Sequence, residues 1–288
     1  VIVDLPDGSH LRITAGGDPQ GLAVFFQSGT PGGGLLYREH VRDAEQRGLR
    51  LIGYDRPGYG GSARRPGRTV ADAAADVAAI ADTLRLDRFA VWGTSGGGPH
   101  ALACAALLGE RVVAVATLAS VAPYEAEGLD WFAGMGAGNL EEFAAAQGGA
   151  AHLGATLAPQ ADAMLAAGAA TMTEGLRSLL SEVDAGALDG PLGAWLFDNI
   201  RAAIGERTDG WVDDDVAFVG PWGFDVADIA VPVLLWQGEQ DRFVPPSHGA
   251  WLSERIPGAD ARLRPDDGHL TLLERHVGDT HAWLREHF

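Results

Sequence analysis

Apolar and polar positions follow one regime in residues 1–122 and 226–288 and another between them. In the first stretch, short continuous apolar runs alternate with longer amphipathic ones. Residues 22–26, 49–54, 89–92 and 112–118 have the length and the branched or aromatic content of strands buried on both faces. Residues 35–47, 70–84 and 101–108 carry apolar side chains at helical spacing, with Asp72, Asp76 and Asp82 interspersed in the second, an amphipathic pattern. Strand, helix, strand predicts parallel pairs joined by crossovers. Ahead of them, residues 1–5 and 10–14 alternate around Pro6-Asp7-Gly8-Ser9, the pattern of an edge hairpin.

Between residues 123 and 225 the strand pattern stops. Residues 140–147, 160–172, 174–183 and 192–204 read as short helices separated by Gly and Pro, which predicts a helical insertion, a lid. Trp131, Phe132, Trp195, Trp211 and Trp222 fall within it. They are expected to pack the lid on the sheet, with one or two lining a pocket. The strand pattern returns at 231–236 and 259–263, with helices expected over 247–255 and 271–288. The chain thus divides into a core of residues 1–122 and 226–288 and a lid of residues 123–225.

Dense turns fall where strands end: Gln27-Ser28-Gly29-Thr30-Pro31-Gly32-Gly33-Gly34, Asp55-Arg56-Pro57-Gly58-Tyr59-Gly60-Gly61-Ser62 and Gly93-Thr94-Ser95-Gly96-Gly97. Ligands bind at that edge of an open parallel sheet. Composition narrows the partner. Twenty-one basic against 39 acidic residues give a formal charge of -18, which argues against nucleic acid or an anionic membrane surface and leaves a small molecule. No run of 18 apolar residues predicts a membrane span, and no signal-peptide pattern is present, so the cytoplasm is the expected location. The chain begins at Val1, not at a methionine, as a trimmed chain would. The single cysteine, Cys104, lies in an apolar run and reads as a buried, inert thiol, which excludes an internal disulfide.

A serine hydroxyl is a poor nucleophile at neutral pH. It needs a base within hydrogen-bond reach, and the base needs a carboxylate to fix its tautomer. Ser95, Asp241 and His269 each follow an expected strand at one sheet edge, in that order. Glu125, after the strand at 112–118, is the rival orienting acid. His100 is expected to pack beneath the Ser95 turn, and His248 invites a metal reading that no cluster at ligand spacing supports. Asp55 reads as a brace for its own turn, and Asp266 and Asp267 as solvated loop charges.

With Gly93-x-Ser95-x-Gly97, the Asp55 to Ser62 turn, Gly238-Glu239-Gln240-Asp241 with Pro245, and Gly268-His269 with Leu272, the sequence resembles the α/β-hydrolase superfamily across the chain outside the lid. The resemblance implies a mostly parallel sheet flanked by helices, and a cofactor-independent serine hydrolase with Ser95 as nucleophile, His269 as base and Asp241 as orienter. It further implies an oxyanion hole from the N–H groups of Gly96 and Thr30, with the Thr30 hydroxyl as a further donor. No metal or cofactor is expected. The family usually has His-Gly where this chain has Ser28-Gly29, which puts the geometry of that loop in question. The implied reaction is hydrolysis of a small carboxylic ester, lactone or thioester through an acyl-enzyme. A proline-iminopeptidase-like amidase and a carbon-carbon bond hydrolase stay open, as does a slow-turnover ligand receptor that keeps the triad.

Overall fold

A computed structural model describes residues 1–5, 7–166, 176, 179–205 and 207–288. Eight strands form one sheet: β1 (Ile2–Asp4), β2 (His10–Gly17), β3 (Leu22–Gln27), β4 (Leu49–Tyr54), β5 (Phe89–Thr94), β6 (Val112–Leu118), β7 (Val233–Gly238) and β8 (Asp260–Arg264). Their spatial order is β1-β2-β4-β3-β5-β6-β7-β8. β1 and β2 form the expected antiparallel hairpin, β2 pairs antiparallel with β4, and β4 through β8 run parallel. Every residue of β5, β6 and β7 is buried, as their unbroken apolar runs require. The edge strand β8 instead carries Asp260, Arg262 and Arg264, charges that discourage pairing with another chain.

Helices α1 (Arg38–Gln46), α2 (Asp72–Thr83) and α3 (Gly97–Leu107) fill the crossovers. Between β6 and β7 the described residues form no strand. They build α4 (Ala137–Gln147), α5 (Ala150–Ala166), α6 (Glu182–Ala187), α7 (Pro191–Ile204) and α8 (Asp209–Val219). After β7 come α9 (Pro246–Arg255), α10 (Leu270–Arg275) and α11 (Val277–Arg285). No helix of the described residues is long and apolar enough to cross a membrane.

Four expectations about helices change. The helix placed at 160–172 begins at Ala150, because Leu153, Leu157 and Ala161 bury one stripe that continues past Pro159; residues 167–172 lie outside the described residues. In place of a helix over 174–183, Ser181 is extended and caps α6, its hydroxyl accepting from the Asp184 N–H; most of residues 174–178 also lie outside the description. The α8 helix was not expected. The single closing helix is two, broken at His276, whose ring hydrogen-bonds Asp267 at 2.8 Å and stacks on Trp236 with centroids 4.5 Å apart. That contact also corrects Asp267, which is buried between His276 and Arg275, while Asp266 is exposed.

Candidate functional site

Ser95 occupies the turn between β5 and α3 with φ of 53°, the left-handed region that a non-glycine residue enters only when its surroundings over-determine it. Its N–H donates to the Leu118 carbonyl at 2.9 Å and its own carbonyl accepts from the Gly98 N–H at 2.9 Å. The flanking glycines answer a close approach. A Cβ on Gly93 would run into the Gly97 carbonyl, and one on Gly97 into the carbonyl of Gln27 on β3.

Asp241 lies in the turn after β7. Its Oδ1 accepts from the N–H groups of Phe243 and Val244 at 2.8 and 2.9 Å, and its Oδ2 lies 2.8 Å from Nδ1 of His269, which follows β8. The carboxylate holds the proton on Nδ1, so Nε2 is the acceptor. His269 stacks on Phe243 with centroids 4.5 Å apart. Burial pulls the imidazolium down, but Asp241, with Asp184 behind it, outweighs that and holds His269 above its ordinary 6.5. Burial leaves Asp241 above the usual carboxylate value despite the opposing His269 and Val244 N–H. Glu125 makes no hydrogen bond to His269 and borders a separate surface cleft with Trp222 and Trp251.

Ser95 and His269 line one cavity of about 120 Å³. Thr30, Trp195, Trp211, Leu196, Ile200 and Leu273 also form its wall, so two of the five aromatics singled out above reach it. The loop after β3 comes against the Ser95 turn so closely that a Cβ on Gly96 would strike the Thr30 side chain. Among the described residues neither the Gly96 nor the Thr30 N–H has an acceptor. The Thr30 hydroxyl is not spare, however: it donates to Asp214 Oδ2 at 2.7 Å, which removes it as a donor to a ligand.

Asp214 of α8 is the centre of a buried network that sequence reading missed. Arg56, Arg68 at 2.7 Å, the Tyr59 hydroxyl at 2.9 Å and His100 at 3.3 Å converge on it. Two guanidinium groups hold its carboxyl well below the usual range against the opposing effect of burial. Arg56 also donates to the carbonyls of Ser28 and Gly29, and Asn199 Nδ2 to the Ser28 hydroxyl at 3.1 Å. These groups organise the loop in which Ser28 replaces the usual histidine. Removing Asp214 leaves two buried guanidinium groups without their counter-charge, so Asp214→Ala is expected to cost about 3–5 kcal/mol. Urea unfolding measures it, and a loss under 1 kcal/mol contradicts this account.

Asp184 of α6 was missed as well. Its carboxylate accepts from the N–H groups of His269, Leu270 and Thr271 at 2.9, 2.7 and 3.1 Å, capping α10 from another helix. No local spacing signals this, since the partners are 85 residues or more away. The run Asp213-Asp214-Asp215 between Trp211 and Phe218 was the available sign that acids are buried in α8. His248 has both ring nitrogens on backbone, the Ala122 N–H and the Trp131 carbonyl, and burial takes it down to about 4, which leaves no lone pair for a metal. Asp55 braces two loops, accepting from the N–H groups of Gly34 and Gly61 and from Arg12. Cys104 is buried, and desolvation raises its thiol.

The turn, the sheet order and the His269–Asp241 pair define a hydrolase-type scaffold. The profile of the alpha/beta hydrolase fold family matches residues 23–276, and the chain belongs to that family. Among solved structures it is similar to an esterase from Thermogutta terrifontis, at 20% identity and TM-score 0.72 over 100% of this chain and 98% of the other. An enol-lactonase from Burkholderia xenovorans is 19% identical, with TM-score 0.68 over 96% and 97%. An alpha/beta hydrolase fold protein from Nakamurella multipartita is 25% identical, with TM-score 0.66 over 100% and 98%. Comparison with curated proteins finds no match.

Proposed function

We propose that the protein is a cofactor-independent serine hydrolase acting on a carboxylic ester, lactone or thioester of a small molecule. The observation that carries this reading is Ser95, held at φ of 53° on the wall of the cavity that His269 also lines, with His269 bonded to Asp241. In this reading Ser95 Oγ attacks the carbonyl carbon while His269 Nε2 takes the hydroxyl proton. The N–H groups of Gly96 and Thr30 receive the developing oxyanion, each worth about 3–4 kcal/mol in other hydrolases. Collapse expels the leaving group, which takes the proton from His269. Water, deprotonated by the same nitrogen, then releases the acid and Ser95. Residues 123–225 act as the lid and close an apolar chamber with Trp195, Leu196 and Ile200. The similarity to an esterase and an enol-lactonase agrees with an acyl substrate.

A fluorophosphonate probe and a panel of chromogenic esters, lactones, thioesters and amides test the proposal. Mass added on Ser95 together with turnover supports it. Labelling without turnover on the whole panel makes the protein a receptor, and no labelling of Ser95 refutes the nucleophile.

The acid limb of kcat/KM reports His269, which must be neutral to accept the proton. Because Asp241 and Asp184 hold the imidazolium above 6.5, activity is expected to rise with pH through a value above that. Asp184→Asn removes one negative charge and moves the limb to lower pH. An unmoved limb in a folded variant limits Asp184 to capping.

A further inference from the structure

Glu142 of α4 and Asp215 of α8 bring two carboxyl groups together beside Ser95 without a cation. Asp215 is 1% exposed, and no N–H or O–H of the described residues donates to either of its oxygens. Glu142 Oε1 accepts from the Trp211 indole at 2.8 Å. The half-buried Glu142 and the buried Asp215 line one chamber, and two neighbouring carboxyl groups favour a shared proton over ionising side by side. Burial and the neighbouring Glu142 push Asp215 well above the usual carboxylate range; Asp214 adds to this and Arg68 opposes it, while burial raises Glu142.

Other buried acids have a basic partner, except Asp184, which has three backbone N–H donors instead. Asp76 faces Arg65, Asp214 faces Arg56 and Arg68, Asp241 faces His269, and Asp267 faces Arg275. The chain contains no lysine, and Arg56 and Arg68 are bound to the adjacent Asp214. The pair is also placed where a substrate would be. It lines a chamber of about 50 Å³ together with Ser95, Gly96 and Thr30, the nucleophile and both oxyanion donors of the proposed mechanism, walled by Phe143, Phe218 and Phe243. Water occupies about 30 Å³ of liquid, so such a chamber holds a head group of very few atoms.

We propose that Glu142 and Asp215 form the subsite for an ammonium group carried one or two bonds from the reacting carbonyl of the substrate's acyl part. The proposal rests on the serine hydrolase reading. The ammonium replaces the shared proton, which leaves to solvent. The pair passes from one negative charge to two while the ligand brings one positive charge, so the net charge of the chamber is conserved. The N–H groups donate to the two Asp215 oxygens and to Glu142, and the phenylalanine rings favour a cation further.

The test compares p-nitrophenyl esters of glycine, glycolic acid and propionic acid, which place –NH3⁺, –OH or –CH3 at one position, with rates normalised to spontaneous hydrolysis. It is run at about pH 6, below the α-amino pKa of roughly 7.7. Charged hydrogen bonds of this kind correspond to about tenfold to hundredfold preference for the ammonium ester in kcat/KM. The preference is expected to collapse towards unity in Glu142→Gln and in Asp215→Asn, two separate variants so that a folding failure in one leaves the other. Equal normalised rates for the three esters, a glycolyl ester favoured as strongly, or a preference that survives both substitutions overturns the proposal and leaves the carboxyl pair as a latch between α4 and α8. A binding arm separates the two readings. Ser95→Ala titrated calorimetrically with glycine anilide in two buffers should release protons, up to about one per ligand, while propionanilide should release none. Proton release without hydrolysis of any ester by the wild type refutes the hydrolase alone; hydrolysis without preference or proton release refutes the subsite alone.

Discussion

Alanine in place of Ser95 is expected to lower kcat on a chromogenic ester by about six orders of magnitude, the loss seen when the nucleophile of a serine hydrolase is removed. The size follows from the absence of a substitute. Cys104 is buried among apolar groups, and its raised thiol is no nucleophile at neutral pH. Thr30, the other hydroxyl against the elbow, donates to Asp214. The fold should survive, because the turn is held by its backbone bonds to Leu118 and Gly98 and by the tight approach of Gly97 to β3, none of which involves the hydroxyl. Steady-state rates with protein free of wild-type contamination give the measurement. Turnover within tenfold of wild type would move the chemistry away from Ser95.

The second large effect belongs to Asp241. Asparagine there is expected to lower kcat by about 10⁴ without changing the turn. Its carbonyl can still accept from the Phe243 and Val244 N–H groups, but its amide donates towards Nδ1, where the carboxylate accepted. The imidazole is then driven to the tautomer with the proton on Nε2, which cannot take a proton from Ser95. With Asp241 gone, the main influence that holds His269 above 6.5 is gone too, so the residual acid limb moves to lower pH. Glu125→Gln serves as the comparison and should change kcat little, since Glu125 borders another cleft. The opposite pattern, with Glu125→Gln crippling and Asp241→Asn mild, would reverse the assignment.

Much of the core was legible in the sequence. Strands buried on both faces need unbroken apolar runs, and the glycine pairs at 93 and 97 answer clashes that any side chain would create, so both leave local marks. The carboxylate on His269 was legible as well, because strand order places residues 241 and 269 at adjacent strand ends of the sheet. The helical stretch was read less well. α5 runs through a proline because its buried stripe outweighs one missing hydrogen bond, and α8 hides among acids that look solvated in one dimension.

By itself the sequence determined the parallel architecture, the tight turn at Ser95 and the placement of Ser95, Asp241 and His269 after strands of one sheet, since these rest on periodicity and on backbone sterics confined to a few neighbouring residues. Only the tertiary structure decided which charges are buried and with whom. Asp214 lies on Arg56, 158 residues away in the chain, Asp184 caps the helix after His269 from 85 residues away, and Glu142 meets Asp215 without a cation. A carboxylate in water and one in a low-dielectric interior read alike in sequence, and their energies differ only through partners that folding brings together.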